Sequence, residues 1–220
     1  MGKRGLIVWG GWDGHTPREN AELFAPLLQA EGYDVELADT LDAYLDRQKL
    51  LTLDLIVPVW TMGSINADQE KNLLDAVAAG AGVAGFHGGL IDSFRNNTEY
   101  QWMTGGQWVA HPGGCIPSHR VNIVDRQHEI TRGIDDFDLP DTEQYYVHVD
   151  PANHVLATTV FSGEHGPREL YQAGAVCPYA WTKSWGKGRV FCACWGHTYK
   201  DFDVPEARQI VLRGMLWAGA

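Results

Sequence analysis

Apolar runs of five to seven residues alternate with amphipathic stretches over the first ninety positions. Gly5-Leu-Ile-Val-Trp9 reads as a buried strand. The next apolar positions, Leu23, Leu27 and Leu28, recur at helical spacing and predict a helix over 17–31. Thr16 stands where an N-cap belongs, Pro17 at the first helical position and Glu19 at the third, the pattern of a capping box; Gly32 ends the helix. A strand over 33–38, a short helix over 41–49, a strand over 53–59, a helix capped by Asn66 and running to Ala79, and a strand over 82–86 follow. Strands separated by helices imply right-handed crossovers and a parallel sheet. Residues 88–117, rich in Gly, Asn and Trp, predict a long ordered loop with short helices, the kind that usually carries function. Strands are then expected at 118–124, 143–149, 155–160, 176–182 and 189–195. Trp185-Gly-Lys-Gly188 should turn the last two into a hairpin, and a helix from Pro205 to Trp217 closes the chain. No repeat, linker or low-complexity tract interrupts residues 1–220, so one α/β domain with a mostly parallel sheet and a late antiparallel hairpin is expected.

Composition narrows the function. The 220 residues are 45% apolar and 20% charged, enough apolar material for a full core. The net charge is −11, and no basic run exceeds Lys3-Arg4, which argues against a nucleic-acid partner. No apolar stretch is long enough to span a membrane. The apolar run after Lys3-Arg4 ends at Gly10-Gly11-Trp12-Asp13, too soon for a signal peptide, and Leu6 breaks a myristoylation motif, so the cytoplasm is the expected compartment. The four cysteines (115, 177, 192, 194) form no C-x-x-C pair and read as reduced core thiols. Gly10-Gly11-Trp12-Asp13-Gly14 is not a dinucleotide fingerprint even with Asp39 nearby, and no G-x-S-x-G occurs, so no nucleotide cofactor and no serine hydrolase chemistry is expected.

Ligands of open α/β sheets bind beyond the carboxyl ends of the parallel strands. Three segments fall there: Trp9 to His15, Trp60 to Gly63, and Phe86 to Gly89. The last looks like a sharp strand-to-helix elbow, and the side chain it presents is His87, a proton carrier or metal ligand. Glu143, in Glu143-Gln-Tyr-Tyr146, could be desolvated by its aromatic neighbours, which would raise its pKa toward that of a useful base. Strand alternation puts Glu143 and Tyr145 on one face and Gln144, Tyr146 and His148 on the other, so Gln144 and His148 remain alternatives. His111, in the long loop, is a substrate contact or a loop anchor; His15 and Asp13 contact ligand or organise the loop before the first helix. His119, His128, His154 and His165 are taken as structural or solvent-exposed. Of nine tryptophans, Trp9, Trp12, Trp60, Trp102 and Trp108 fall at strand ends or in the long loop, where an indole face suits a sugar ring.

The blocks Gly85-Phe-His-Gly-Gly89, Trp108-Val-Ala-His111-Pro112, His128 to Ile134, Glu143 to Pro151, and Trp185 to Phe191 running into Gly196-His197 occur in order along nearly the whole chain. As a set they resemble the ThuA, or trehalose-utilisation, family of the class I glutamine amidotransferase-like superfamily. The resemblance implies a three-layer αβα sandwich of flavodoxin-like type. It also implies that His197 matches the position of the amidotransferase triad histidine. The elbow that would carry the amidotransferase cysteine carries His87, so a glutaminase is not expected. The role implied is processing of a small-molecule carbohydrate, trehalose or a related glycoside, as a keto sugar made by a partner dehydrogenase. On that reading Glu143 removes a proton beside the carbonyl, and His87 and His197 stabilise the enolate directly or through a divalent metal, zinc first among the candidates. Isomerase, lyase and hydrolase outcomes all fit, a metal-dependent hydrolase and a non-catalytic sugar-binding module are the alternatives, and a homo-oligomer is left open. Trp12, Asp13, His15, Trp60, His111, Gln144, Tyr145 and His148 are the candidate substrate contacts.

Overall fold

The computed structural model describes residues 2–220. The chain runs β1 (Lys3–Gly11), α1 (Pro17–Ala30), β2 (Tyr33–Ala38), α2 (Arg47–Leu50), β3 (Leu55–Thr61), α3 (Ala67–Ala79), β4 (Gly82–Phe86), α4 (Gly88–Ile91) and α5 (Thr98–Thr104). It continues through β5 (Gly106–Ala110), β6 (Cys115–Ile123), β7 (Phe137–Glu143), β8 (Tyr146–Val149), β9 (His154–Val160), α6 (Pro167–Leu170), β10 (Val176–Trp185), β11 (Gly188–Ala193) and α7 (Pro205–Ala218). Nine strands form one sheet in the order β2-β1-β3-β4-β11-β10-β9-β6-β7, and β5 pairs with β8 in a separate two-stranded sheet. Among the described residues no helix is long and apolar enough to cross a membrane.

The sheet has two halves. Strands β2, β1, β3, β4 and β11 are mutually parallel, and the near-continuous apolar runs of the inner strands β3 and β4 are what a strand buried on both faces requires. Strands β11 and β10 form an antiparallel hairpin through Gly186-Lys187, and the antiparallel pairing continues through β9, β6 and β7. Each antiparallel step reverses direction, so four steps from β11 bring β7 back to the direction of β11. The carboxyl end of β7 therefore lies at the same edge of the sheet as those of β1, β3, β4 and β11. This fact places Glu143.

Helices α1 and α7 pack together, as do α3 and α5, each pair against the sheet. The buried apolar side chains form one continuous cluster, with Phe24, Phe86 and Phe202 meeting ring to ring just behind the carboxyl edge.

Several local expectations change. Asn66 caps α3 with a full capping box to Gln69, but Thr16 does not cap α1. A 3-10 turn over Asp13–His15 leads into the helix and forces Thr16 into the left-handed region (φ 45°). The Thr16 hydroxyl instead accepts the Tyr199 N–H at 3.0 Å. The long loop contains β5 as well as its two helices, and the strand expected over 143–149 is two strands in different sheets, broken at Gln144-Tyr145. Strand β7, at the outer edge of the sheet, alternates over Phe137–Pro140, and a positive φ at Asp141 (47°) interrupts the alternation before the buried Thr142 and Glu143.

Two stability tests follow from this packing. Gly214 of α7 lies against the fully buried Phe191, whose ring atoms would stand 2.2–2.5 Å from an added Cβ. Gly214→Ala should lower Tm by roughly 3–10 °C in a thermal melt. His119 of β6 is buried, with Nε2 2.9 Å from the Tyr179 hydroxyl, and burial pushes its pKa down to about 4. The folded protein holds His119 neutral where the unfolded chain protonates it, so the stability this supplies is full above about pH 6.5 and is lost as pH falls toward 4. Denaturant titrations at pH 7 and pH 4 should show His119→Gln losing about 3 kcal/mol less than wild type over that interval.

Candidate metal centre

Four side chains converge at the carboxyl edge of the sheet: His15, His87, Glu143 and His197, with one ligand atom from each lying within 4.8 Å of all the others. His15 comes from the 3-10 turn after β1, His87 from the elbow after β4, His197 from the turn after β11 and Glu143 from the last position of β7. Glu143 Oε2 is 3.2 Å from His87 Nε2, 3.4 Å from His197 Nδ1 and 3.8 Å from His15 Nε2. Its other oxygen is 3.5 Å from His111 Nδ1. Tetrahedral coordination at normal zinc–ligand lengths separates ligand atoms by about 3.3 Å, and the three spacings from Glu143 Oε2 to His87, His197 and His15 lie near that value.

The backbone is shaped for this convergence. His87 sits at φ 47°, ψ −141°, a conformation rare outside glycine, between β4 and α4. A Cβ on Gly88 would stand 2.5 Å from His15 Nδ1, so only glycine lets the elbow pass the His15 ring. Thr61, at the end of β3, meets His15 Nδ1 through its hydroxyl at 2.8 Å. Asp201 Oδ2 accepts three bonds, from the Thr142 hydroxyl (2.8 Å) and from the N–H groups of Gly196 and His197 (both 3.0 Å). One buried carboxylate oxygen thus fixes both the residue before Glu143 and the turn that carries His197.

Protonation decides what the cluster can do. His87 Nδ1 is 3.0 Å from the Cys194 carbonyl, which can only accept, so Nδ1 carries the proton. Burial pushes the His87 pKa down to about 3, although Glu143 opposes this, so the ring is neutral and Nε2 is a bare lone pair. Burial alone would raise Glu143, but the facing imidazoles of His15 and His197 outweigh it and hold the carboxyl well below the usual carboxylate range. Glu143 is therefore ionised, and the expectation of a raised, base-like pKa is reversed. A carboxylate oxygen facing a nitrogen lone pair is repulsive unless a cation lies between them. His197 Nδ1, buried, makes no hydrogen bond among the described residues. The donor set suits a divalent first-row ion, and His87, held through Nδ1 by a carbonyl, has the second-shell pattern of a metal-ligating histidine.

Comparison with known proteins agrees with this architecture. The family model for ThuA, described as trehalose utilisation, matches residues 4–218. The chain belongs to the ThuA family. A solved ThuA-like protein from Bacteroides uniformis superposes with a TM-score of 0.80 at 15% identity, covering 98% of this chain and 91% of that one. One from Parabacteroides merdae gives 0.77 at 16% identity, covering 100% and 91%. A β-galactosidase from Bacillus circulans sp. alkalophilus gives 0.61 at 11% identity over 99% of this chain but 30% of that one, a likeness of fold alone. No curated protein sequence matches the chain.

The other residues singled out from the sequence of this ThuA-family protein separate clearly. Tyr145 is buried and stacks on His87, ring centroids 3.7 Å apart. His111 borders the cluster, and Trp12, half exposed, meets His15 edge-on at its mouth. Asp13 is exposed on the 3-10 turn, and the Trp60 ring packs against Gly10 and Gly63. Gln144 points away, with its amide on Thr159 and the Val160 carbonyl, because the chain breaks between β7 and β8. His148, on β8 opposite Gln107, is exposed and remote from the cluster. Sequence reasoning did not reach Asp201 or Thr61, and it read Cys115 as a core thiol, whereas Cys115 is exposed at the edge of the cluster with Sγ 3.5 Å from His197 Nε2. Thr61 at a strand end was the only one with a positional signal.

Asp201→Ala should weaken binding of added zinc about tenfold or more, by freeing the His197 turn and the end of β7. Asp201→Asn, whose carbonyl oxygen can accept the same three bonds, should retain most of it; titration with a zinc-sensitive dye reads both.

Proposed function

We propose that this ThuA-family protein is a metal-dependent enzyme acting by proton transfer on a keto sugar of trehalose or glycoside use. The observation that carries the reading is the ionised Glu143 oxygen surrounded at 3.2–3.8 Å by the nitrogens of three imidazoles, one of them held neutral with its lone pair facing in. His15, His87, Glu143 and His197 would hold a divalent ion, zinc first among the candidates. Such an ion supplies Lewis-acid polarisation of a carbonyl.

The chain's own groups do the rest. A carbonyl acidifies the C–H beside it, and a base must take that proton. Glu143 is a poor base, since its imidazole neighbours His15 and His197 already stabilise its charge. His111 is better placed: its side chain is partly exposed and borders the cluster, so its ring can reach a bound substrate. His111 takes the proton and returns it to the adjacent carbon in isomerisation, or to the departing glycosidic oxygen in elimination. Tyr145, stacked on His87, walls the cluster and keeps water from its inner face. No cysteine stands at the elbow, so thioester chemistry is not part of the proposal. The cytoplasm is the compartment such a sugar-processing role favours.

Elemental analysis should find close to one divalent ion per chain in wild type and far less in His87→Ala, His197→Ala and Glu143→Gln. His111→Asn should keep the metal and lose at least about 100-fold in turnover. With a 3-keto glucoside in deuterated water, NMR should show deuterium entering at the carbon beside the carbonyl. Metal-loaded protein that neither exchanges that proton nor changes the sugar would reject the enzyme reading, and saturable binding without turnover would put a sugar-binding module in its place.

A further inference from the structure

Beside the cluster, one arginine is held more rigidly than a surface residue needs to be. Arg95 Nε and Nη2 donate to the two carboxylate oxygens of Asp92 at 2.6 and 2.9 Å. Asp92 is 2% exposed, whereas the Arg95 side chain is 42% exposed, so a buried carboxylate presents a guanidinium to the outside. The guanidinium carbon lies 4.4 Å from the centroid of Trp108. Nothing among the described residues takes up Nη1, and the indole N–H of Trp108 also has no partner.

The backbone that carries this pair is strained. Phe94, just before Arg95, has φ 49°, and Met62, which faces it, has φ 60°. The Met62 N–H donates to the Asp92 carbonyl (2.9 Å) and the Phe94 N–H to the Met62 carbonyl (3.2 Å), locking residues 92–94 to the end of β3. Left-handed conformations at bulky residues are costly, and they persist where surrounding contacts over-determine them, most often at functional sites. The wall is continuous with the cluster: Trp108 lies 5.7 Å from His111 and 6.2 Å from Tyr145, centroid to centroid, and Tyr145 covers His87.

We infer that Arg95, fixed by Asp92 and backed by Trp108, is a specificity-determining residue that binds the hydroxyl groups of a neutral sugar and disfavours sugar acids. The Arg95–Asp92 pair has no net charge. A hydroxyl reaching Nη1 finds a donor held in place. A carboxylate reaching the same nitrogen also meets the field of Asp92. The two remaining N–H bonds of Nη1 can serve neighbouring hydroxyls of one ring, and the indole offers an apolar surface for its C–H bonds.

The inference rests on the carbohydrate reading proposed above, and the test separates the two. The probes are methyl α-glucoside and methyl α-glucuronide, which differ only in a carboxylate, titrated by saturation-transfer NMR against metal-analysed protein. Wild type should bind the glucoside more tightly. Arg95→Met should weaken glucoside binding about tenfold, the loss of a hydrogen bond to a charged group. Asp92→Asn, which leaves the guanidinium uncompensated, should shift preference toward the glucuronide. Unchanged glucoside affinity in Arg95→Met, a wild-type preference for the glucuronide, or no saturable binding of either sugar would overturn it. Full metal content with no sugar selectivity sinks this inference alone; intact selectivity in protein that binds no metal sinks the proposed metal centre alone.

Discussion

The carboxylate of Glu143 sets the terms for everything around it. It is nearly buried and ionised, and a charge in that position needs compensation. The side chains nearest to it are imidazoles; burial keeps the innermost one neutral, and a backbone carbonyl holds its one proton on the far nitrogen. A core that gathers a negative charge and nitrogen lone pairs within 4.8 Å is costly by itself. A cation placed among these atoms would relieve that cost and, by binding only the folded chain, stabilise the fold.

The sheet makes that convergence available. Four parallel strands deliver their loops to one edge, and the antiparallel half returns β7 to the same direction, so a residue 56 positions from His87 ends beside it. The supporting contacts are short and local. Asp201 ties the His197 turn to the residue before Glu143, Thr61 engages His15, and Gly88 leaves space for the His15 ring. Of the five non-glycine residues with positive φ among the described residues, Thr16, Met62, His87 and Phe94 lie in the loops at this edge. Conformational strain is concentrated where geometry matters most.

Much of this was legible in the chain. The runs at 5–9 and 82–86 are apolar because their strands are buried on both faces, and the glycines after His87 mark an elbow by their spacing. His87 stood out at the end of an expected strand, Glu143 as a carboxylate among aromatic residues, and His197 through the family resemblance. Other features were misread for physical reasons. Thr16-Pro17-Arg18-Glu19 has the letters of a capping box, but the 3-10 turn that brings His15 inward leaves Thr16 no room for capping geometry. Glu143 to Val149 alternates like a single strand, yet its two halves pair with different partners.

The sequence by itself determined the α/β pattern, the family and the strand-end histidines, because burial and turn chemistry are local and leave periodic marks. Tertiary structure alone decided that Glu143 is a charged partner of imidazoles and not a desolvated base, and that His15 belongs with them. It also decided that Asp92 holds Arg95 against Trp108, next to the cluster. Protonation and ligation depend on which atoms meet across long separations and on how much water is excluded there. Residue order carries no direct record of either quantity.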